Sequence, residues 1–280
     1  MIFRLGVASG RVKGVEIDTA FFNGNHAPEV AVQGCFAVDS REEEIKSPDF
    51  TDWETILPKQ ECGPSQRHAW LLDQGPGQIS GASVPGLGKQ YTHVRLQMFP
   101  DGGIARFRLF GTVVPVLPQK LDEVFDLAST VNGGVAIKCS DQHFGTKDNL
   151  LLPGRGVDMG DGWETKRTRG VHVDWVIIKL GIPGVIEKLV IDTAHFRGNF
   201  PQKVQVFAAE QETGGHAPEH EEYEKWIEIL SPQKTGPDKE HEYQGDVLRD
   251  VQDKTYAYVK MVIIPDGGVK RIRVFGRRGQ

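Results

Sequence analysis

Asp192 and His195 stand three residues apart, in Asp-Thr-Ala-His, where a β-branched run gives way to a loop. A carboxylate and an imidazole that close together can move a proton. A second polar group follows Trp163: Glu164, Arg167 and Arg169 within six residues. Arg271 and Arg273 form a third. They alternate with Ile272 and Val274, so the arginines share one face of a strand and the apolar pair the other. Asn199 follows a glycine and reads either as a turn former or as an amide that contacts a ligand. The set offers general acids, general bases and guanidinium forks for an anion. Each member also has a plainer reading. Asp192 caps a turn, His195 packs, the loop around Arg167 faces water, and Arg271 and Arg273 make a solvated face.

Other chemistries find less support. Asp141-x-His143 and Asp192-x-x-His195 lack the ligand count of a zinc site. A divalent metal is therefore possible but not called for, and no cofactor is assigned. No glycine-rich phosphate loop opens a helix, and no Gly-x-Ser-x-Gly elbow occurs. The net charge is -5 with signs interspersed, and the one basic cluster, Lys166 to Arg169, is short. That argues against nucleic acid as a partner. Cys35, Cys62 and Cys139 are odd in number and widely spaced, which suits a reducing compartment. Arg4 interrupts the place of a signal peptide, no long apolar stretch follows, and the last residues form no targeting tail. A cytoplasmic protein without a membrane partner is the expectation.

The elements that must position these residues come in two copies. Asp18-Thr-Ala-Phe21-Phe-Asn-Gly-Asn25 matches Asp192-Thr-Ala-His195-Phe-Arg-Gly-Asn199. Trp53 aligns with Trp226, Gly63-Pro64 with Gly236-Pro237, and His68 with His241. Pro-Asp-Gly-Gly recurs at Pro100 and Pro265, and Arg-x-Arg-x-Phe-Gly closes both copies, from Arg106 and from Arg271. Such order over a hundred residues marks an internal repeat. The spacing predicts a first repeat over 1–118, a linker over 119–131 and a complete second repeat over 132–280. Arg4-Leu-Gly-Val matches Lys179-Leu-Gly-Ile, so the first copy begins partway into the unit. A late start, a genuinely shortened form, and an edge covered by another subunit all account for that. The exposed edge argues for a homo-oligomer.

The second copy reads as short β-branched strands separated by turn residues, with Pro-Asp-Gly-Gly as a tight hairpin. The best helical candidate is Asp122 to Val131, bridging the copies. Glu219 to Glu224 reads as a solvated loop or a short helix, and His68 and His241 as surface residues. The fold class is all-β: two tandem β-sandwiches.

The block Gly160-Asp-Gly-Trp-Glu-Thr-Lys-Arg167, then Asp174-Trp-Val-Ile-Ile-Lys-Leu-Gly181, Pro183-Gly-Val-Ile186 and Ile191-Asp-Thr-Ala-His-Phe196 resembles the allantoicase family. Asn149-Leu-Leu-Leu-Pro-Gly154 and both Pro-Asp-Gly-Gly turns strengthen the resemblance, which covers nearly the whole chain. It implies a duplicated jelly roll of the galactose-binding-like type, the first copy incomplete, and hydrolysis of allantoate to ureidoglycolate and urea in purine breakdown. The first repeat departs from the pattern: it lacks an Asp-Gly-Trp-Glu-Thr block and has Phe21 where the second has His195.

Allantoate carries one carboxylate and two ureido groups on one carbon. Arg271 or Arg167 suits the carboxylate, with Arg169, Arg273 and Asn199 as further contacts. His195 with Asp192 or Glu164 suits proton transfer. The alternative is a jelly roll that binds a small ligand without turning it over, since fold alone does not fix function.

Overall fold

A computed structural model of the chain describes residues 1–38, 40, 42–72, 88–211, 218 and 224–279. Residues 219–223 of the acidic run fall outside the described residues; Glu224 is an exposed turn residue. The chain divides into two compact units, Met1–Val116 and Leu117–Gln280.

In the first unit, β1 (Ile2–Arg4), β2 (Gly10–Asp18), β3 (Glu29–Cys35), β4 (Glu54–Glu61), β5 (Arg67–Leu71), β6 (His93–Phe99) and β7 (Arg106–Val113) form two sheets. One runs β1-β6-β3-β4 and the other β5-β2-β7. Every pairing is antiparallel. Val15, Ile17, Val30, Val32, Ile56, Leu57 and Val94 fill the space between the sheets. Most are β-branched residues, which fit a pleated, half-buried surface. The five-residue helix Glu42–Lys46 tucks Ile45 against Cys35.

The second unit repeats this plan. Its strands are β8 (Phe125–Asp126), β9 (Val135–Cys139), β10 (Trp163–Glu164), β11 (Asp174–Asp192), β12 (Lys203–Ala209), β13 (Ile227–Lys234), β14 (Glu240–Gln244), β15 (Tyr256–Ile264), β16 (Gly268–Val269) and β17 (Arg271–Arg278). β11 spans both faces of the sandwich. Its first half pairs with β9 and β15, its second half with β14 and β17. The register with β15 breaks between Lys179 and Gly184, where the strand passes from one face to the other. The two sequence runs read as separate strands, Trp175–Leu180 and Leu189–Asp192, are thus one continuous element. The architecture is two tandem jelly-roll sandwiches. In the second, Leu150, Leu151 and Trp163 are fully buried in the core. In the first, Phe3, Ile104 and Phe107 pack partly buried against the core.

The repeated motifs have matching geometry. A bulge interrupts β2 against β7 between Val12 and Gly14, and another interrupts β11 against β17 between Ile186 and Lys188. The closing glycine of Arg-x-Arg-x-Phe-Gly lies opposite each bulge. A Cβ on Gly111 would sit 2.0 Å from the Arg11 carbonyl oxygen, and one on Gly276 2.1 Å from that of Val185. Gly102 and Gly267 of the Pro-Asp-Gly-Gly turns have φ of 134° and 133°, outside the reach of ordinary side chains.

The helix expected over Asp122–Val131 does not form. Phe125 and Asp126 pair with Gly276 and Phe275, Leu127 donates its N–H to the Val274 carbonyl, and Thr130–Asn132 make a 3-10 turn. Burial of Leu127 and the free edge of β17 outweigh the local helical preference. The pairing also makes part of the span read as a linker a strand of the second unit. Among the described residues no helix is long and apolar enough to cross a membrane.

Candidate active site

The turn after β2 and the turn after β11 are built identically. Asp18 Oδ1 accepts the N–H of Ala20 and Asp192 Oδ1 that of Ala194, each at 2.9 Å. Thr19 Oγ1 donates to the Gly63 carbonyl at 2.7 Å, and Thr193 Oγ1 to that of Gly236 at 2.6 Å. Phe21 and His195 follow in the left-handed region, with φ of 69° and 68°. Such a conformation is rare for bulky residues and points the side chain away from its own strand. Phe21 is 92% exposed, so packing does not explain this position.

His68 and His241 belong to the same turns, which corrects their reading as surface residues. Nε2 of His68 accepts the Gly63 N–H at 3.1 Å, and Nε2 of His241 that of Gly236 at 2.8 Å. His241 is buried and its Nδ1 meets the Ile191 carbonyl at 3.0 Å. Burial lowers its pKa from the ordinary 6.5. The unfolded chain then binds a proton that the folded chain refuses, so stability is full above pH 6.5 and is lost as pH falls below it. The guanidinium unfolding midpoint should fall between about pH 7.5 and about pH 5.5, and less so in His241→Gln. Equal losses in both proteins would remove His241 from the acid sensitivity.

The second unit adds a covering segment over its turn. Arg155 reaches Asp192 with both fork nitrogens, Nε at 2.7 Å and Nη2 at 2.9 Å. That bond raises the Arg155 pKa above its ordinary value. With the Ala194 N–H also on Oδ1, Asp192 is committed to structure, and no contact joins it to the His195 imidazole. His195 is half-buried, and its backbone N–H donates to Asp238 Oδ1 at 2.7 Å.

Arg271 and Arg273 hold the same segment. Ile272 and Val274 face the core as their alternation requires. Arg271 is buried and donates to the carbonyls of Gly154, Asp161 and Lys270 and to the Asp161 carboxylate at 3.0 Å. Arg273 donates to the carbonyls of Leu152 and Gly154. Burial lowers the pKa of both guanidiniums. Most of their hydrogen bonds go to backbone carbonyls, a commitment that strand alternation alone does not reveal.

The Asp-Gly-Trp-Glu-Thr block distributes its work residue by residue. Asp161 pairs with the fully buried Lys270 and with Arg271. Trp163 plugs the core, and its Nε1 donates to the Asp141 carbonyl at 2.8 Å. Thr165 and Gly267 exchange hydrogen bonds of 3.1 Å, through the Thr165 N–H in one direction and Oγ1 in the other. Glu164 turns to open space. It lines a cleft of about 570 Å³ with Arg167, Asn199, Gln202 and Asp266. That size suits a small molecule. Asn199 Nδ2 donates to Glu164 Oε1. Asp141 Oδ2 and Asp266 Oδ2 accept the N–H groups of Lys166 and Thr168, at 2.8 Å and 3.0 Å, and so fix the backbone on either side of Arg167. The Arg167 side chain is exposed at the cleft and has no ion pair or hydrogen bond among the described residues. Arg169 is exposed as well and lies outside the lining.

The fold thus brings Glu164, Arg167 and Asn199 to one place. Asp266 and Gln202 join them unannounced by the sequence. A repeated Pro-Asp-Gly-Gly marked Asp266 as a turn residue, not as a wall of a cleft. Arg155 carried no signal at all. Among the described residues no group of three or more His, Cys, Asp or Glu side chains is placed to hold a metal ion.

Two jelly rolls in tandem, one with a small polar cleft lined by carboxylates, two amides and a free guanidinium, define the class of protein. The allantoicase repeat family matches the chain twice, over residues 1–114 and 125–279. Allantoicase of Neurospora crassa is 57% identical over 279 residues, 99% of this chain and 74% of that protein. Allantoicase of Saccharomyces cerevisiae is 49% identical over 278 residues, 99% of this chain and 76% of that protein. The crystal structure of the Saccharomyces cerevisiae enzyme superposes with a TM-score of 0.71 over 98% of this chain and 76% of that one. The chain belongs to the allantoicase family.

Proposed function

We propose that the chain hydrolyses allantoate to ureidoglycolate and urea in the cleft beside Glu164. The observation that carries the site is the unpartnered Arg167 guanidinium on the same wall as the Glu164–Asn199 pair. A planar fork matches a carboxylate in two parallel hydrogen bonds. The Asn199 and Gln202 amides suit ureido groups, which both donate and accept. The reaction breaks the bond between the central carbon and one ureido nitrogen. Water oxygen takes the place of that nitrogen as a hydroxyl. One water proton stays on the hydroxyl and the other ends on urea. That exchange needs a base at the water and an acid at the leaving nitrogen. Glu164 suits the acid: Asn199 fixes its Oε1, which leaves Oε2 to carry the proton. A cytoplasmic homo-oligomer is the setting the sequence supports.

The test is urea release from allantoate by the purified chain, with and without added divalent metal. Arg167→Ala should raise KM, and lower kcat/KM about 10- to 100-fold, the loss of a hydrogen bond to a charged group. Arg167→Lys, which keeps the charge and loses the fork, should recover only part of it. A KM unchanged in both variants would remove Arg167 from the substrate. Allantoate that binds and is never turned over would make the chain a binding module.

A further inference from the structure

His172 precedes β11 and reaches toward the cleft wall from behind. Its Nε2 lies 3.5 Å from Asp266 Oδ2 and 3.8 Å from Asp174 Oδ2. Both ring nitrogens are buried and neither has a hydrogen-bond partner. Asp174 is itself buried and fixed, since Ser140 Oγ donates to its Oδ1 at 2.7 Å and accepts the Trp175 N–H at 2.9 Å. The same oxygen of Asp266, Oδ2, accepts the Thr168 N–H. The second oxygen of Asp266, Oδ1, has no partner among the described residues, and the residue lines the cleft together with Glu164. An imidazole set between two carboxylates, just beyond hydrogen-bond length, is a group poised to close on one of them. Catalytic hydrogen bonds are often long until substrate is bound. The charged groups beside it are Asp174 on β11 and Asp266 in the turn after β15.

We infer that Asp266 is the catalytic base of the cleft and that His172 is its positioning residue, an inference that rests on allantoate hydrolysis at this site. When His172 Nε2–H donates to Oδ2, Asp266 stays ionised and turns Oδ1 to the attacking water. Oδ1 then takes one water proton as the water oxygen bonds to the central carbon. The carbon–nitrogen bond breaks, its electron pair goes to the ureido nitrogen, and Glu164 protonates that nitrogen. The proton gained by Asp266 and the one lost by Glu164 exchange with solvent, so water is the only reactant consumed. Asp174 keeps the ring from turning away. Asp101, the counterpart of Asp266 in the first unit, is exposed.

The test pairs two variants with a measurement that needs no turnover. His172→Leu should lower kcat about 10²-fold with KM nearly unchanged, the usual loss when a reacting group is mispositioned. His172→Gln keeps a donor that does not titrate. It should recover most of the kcat that His172→Leu loses. A filling role alone would give no such recovery, and a His172→Gln enzyme as slow as His172→Leu overturns the assignment. So does a His172→Leu enzyme within about threefold of wild-type kcat. Should His172→Leu not fold, the ring nitrogen resonances of His172 decide. They should move in Asp266→Asn, and resonances indifferent to Asp266→Asn overturn the pairing. Wild-type protein that releases no urea sinks the functional reading itself. Wild-type turnover that ignores both His172 variants sinks only this inference.

Discussion

Glu164→Gln should lower kcat for urea release by about 10²- to 10⁴-fold, the range for loss of a positioned acid or base. The substitution keeps size and keeps an oxygen for the Asn199 N–H, so the cleft wall stays in place. It removes only the group that can carry and give up a proton. Allantoate should still bind, because Arg167 and the amides are untouched, and KM should change far less than kcat. Steady-state urea release over a range of allantoate concentrations separates the two. A variant that keeps more than a tenth of wild-type kcat would exclude Glu164 from proton transfer, and the acid would then have to be sought on the turn of His195.

The second large effect concerns stability. Asp161→Ala should destabilise the second unit by about 3–5 kcal/mol, the cost of leaving a buried charge without its partner. Lys270 is fully buried, Arg271 nearly so, and the Asp161 carboxylate meets both. Carbonyl oxygens of Asp158 and Gly154 also reach these cations, and the Asp158 and Asp192 carboxylates act on them without the direct contact that Asp161 makes. Guanidinium unfolding with an unchanged m-value would report the loss as a lower midpoint. The double variant Asp161→Ala with Lys270→Met should recover a large part of it, because an apolar residue of similar length needs no counter-charge. A loss below about 1 kcal/mol in the single variant would mean that the carbonyls alone satisfy Lys270 and Arg271. The same segment carries Trp163 and Glu164, so the two effects are linked through one motif: Asp161 anchors it and Glu164 uses it.

Much of this was legible along the chain. The repeat, the all-β class and the family resemblance follow from side-chain alternation, turn glycines and the order of motifs, all of which are local. The inward set of β17, Ile272 and Val274, is fixed by a period of two that no tertiary contact can alter. Glu164, Arg167 and Asn199 could be named because their residue types suit a small anion carrying ureido groups.

What the sequence could not decide was how each polar group is spent. Asp192, Arg271 and Arg273 look as reactive as Glu164 and Arg167 when read in order. Only folding brings the 152–161 segment over β17 and assigns their oxygens and N–H groups to it, which leaves Arg167 free and Glu164 facing the cleft. His172 and Asp266 lie far apart in the chain and meet because the turn after β15 packs against the start of β11. The helix expected over Asp122–Val131 yielded for the same reason, since an open edge on β17 was within reach. The sequence by itself determined the elements, their duplication and the kinds of chemistry on offer. Tertiary packing determined which groups are satisfied by protein and which remain for a ligand, because hydrogen-bond partners distant in sequence become neighbours only in the folded chain.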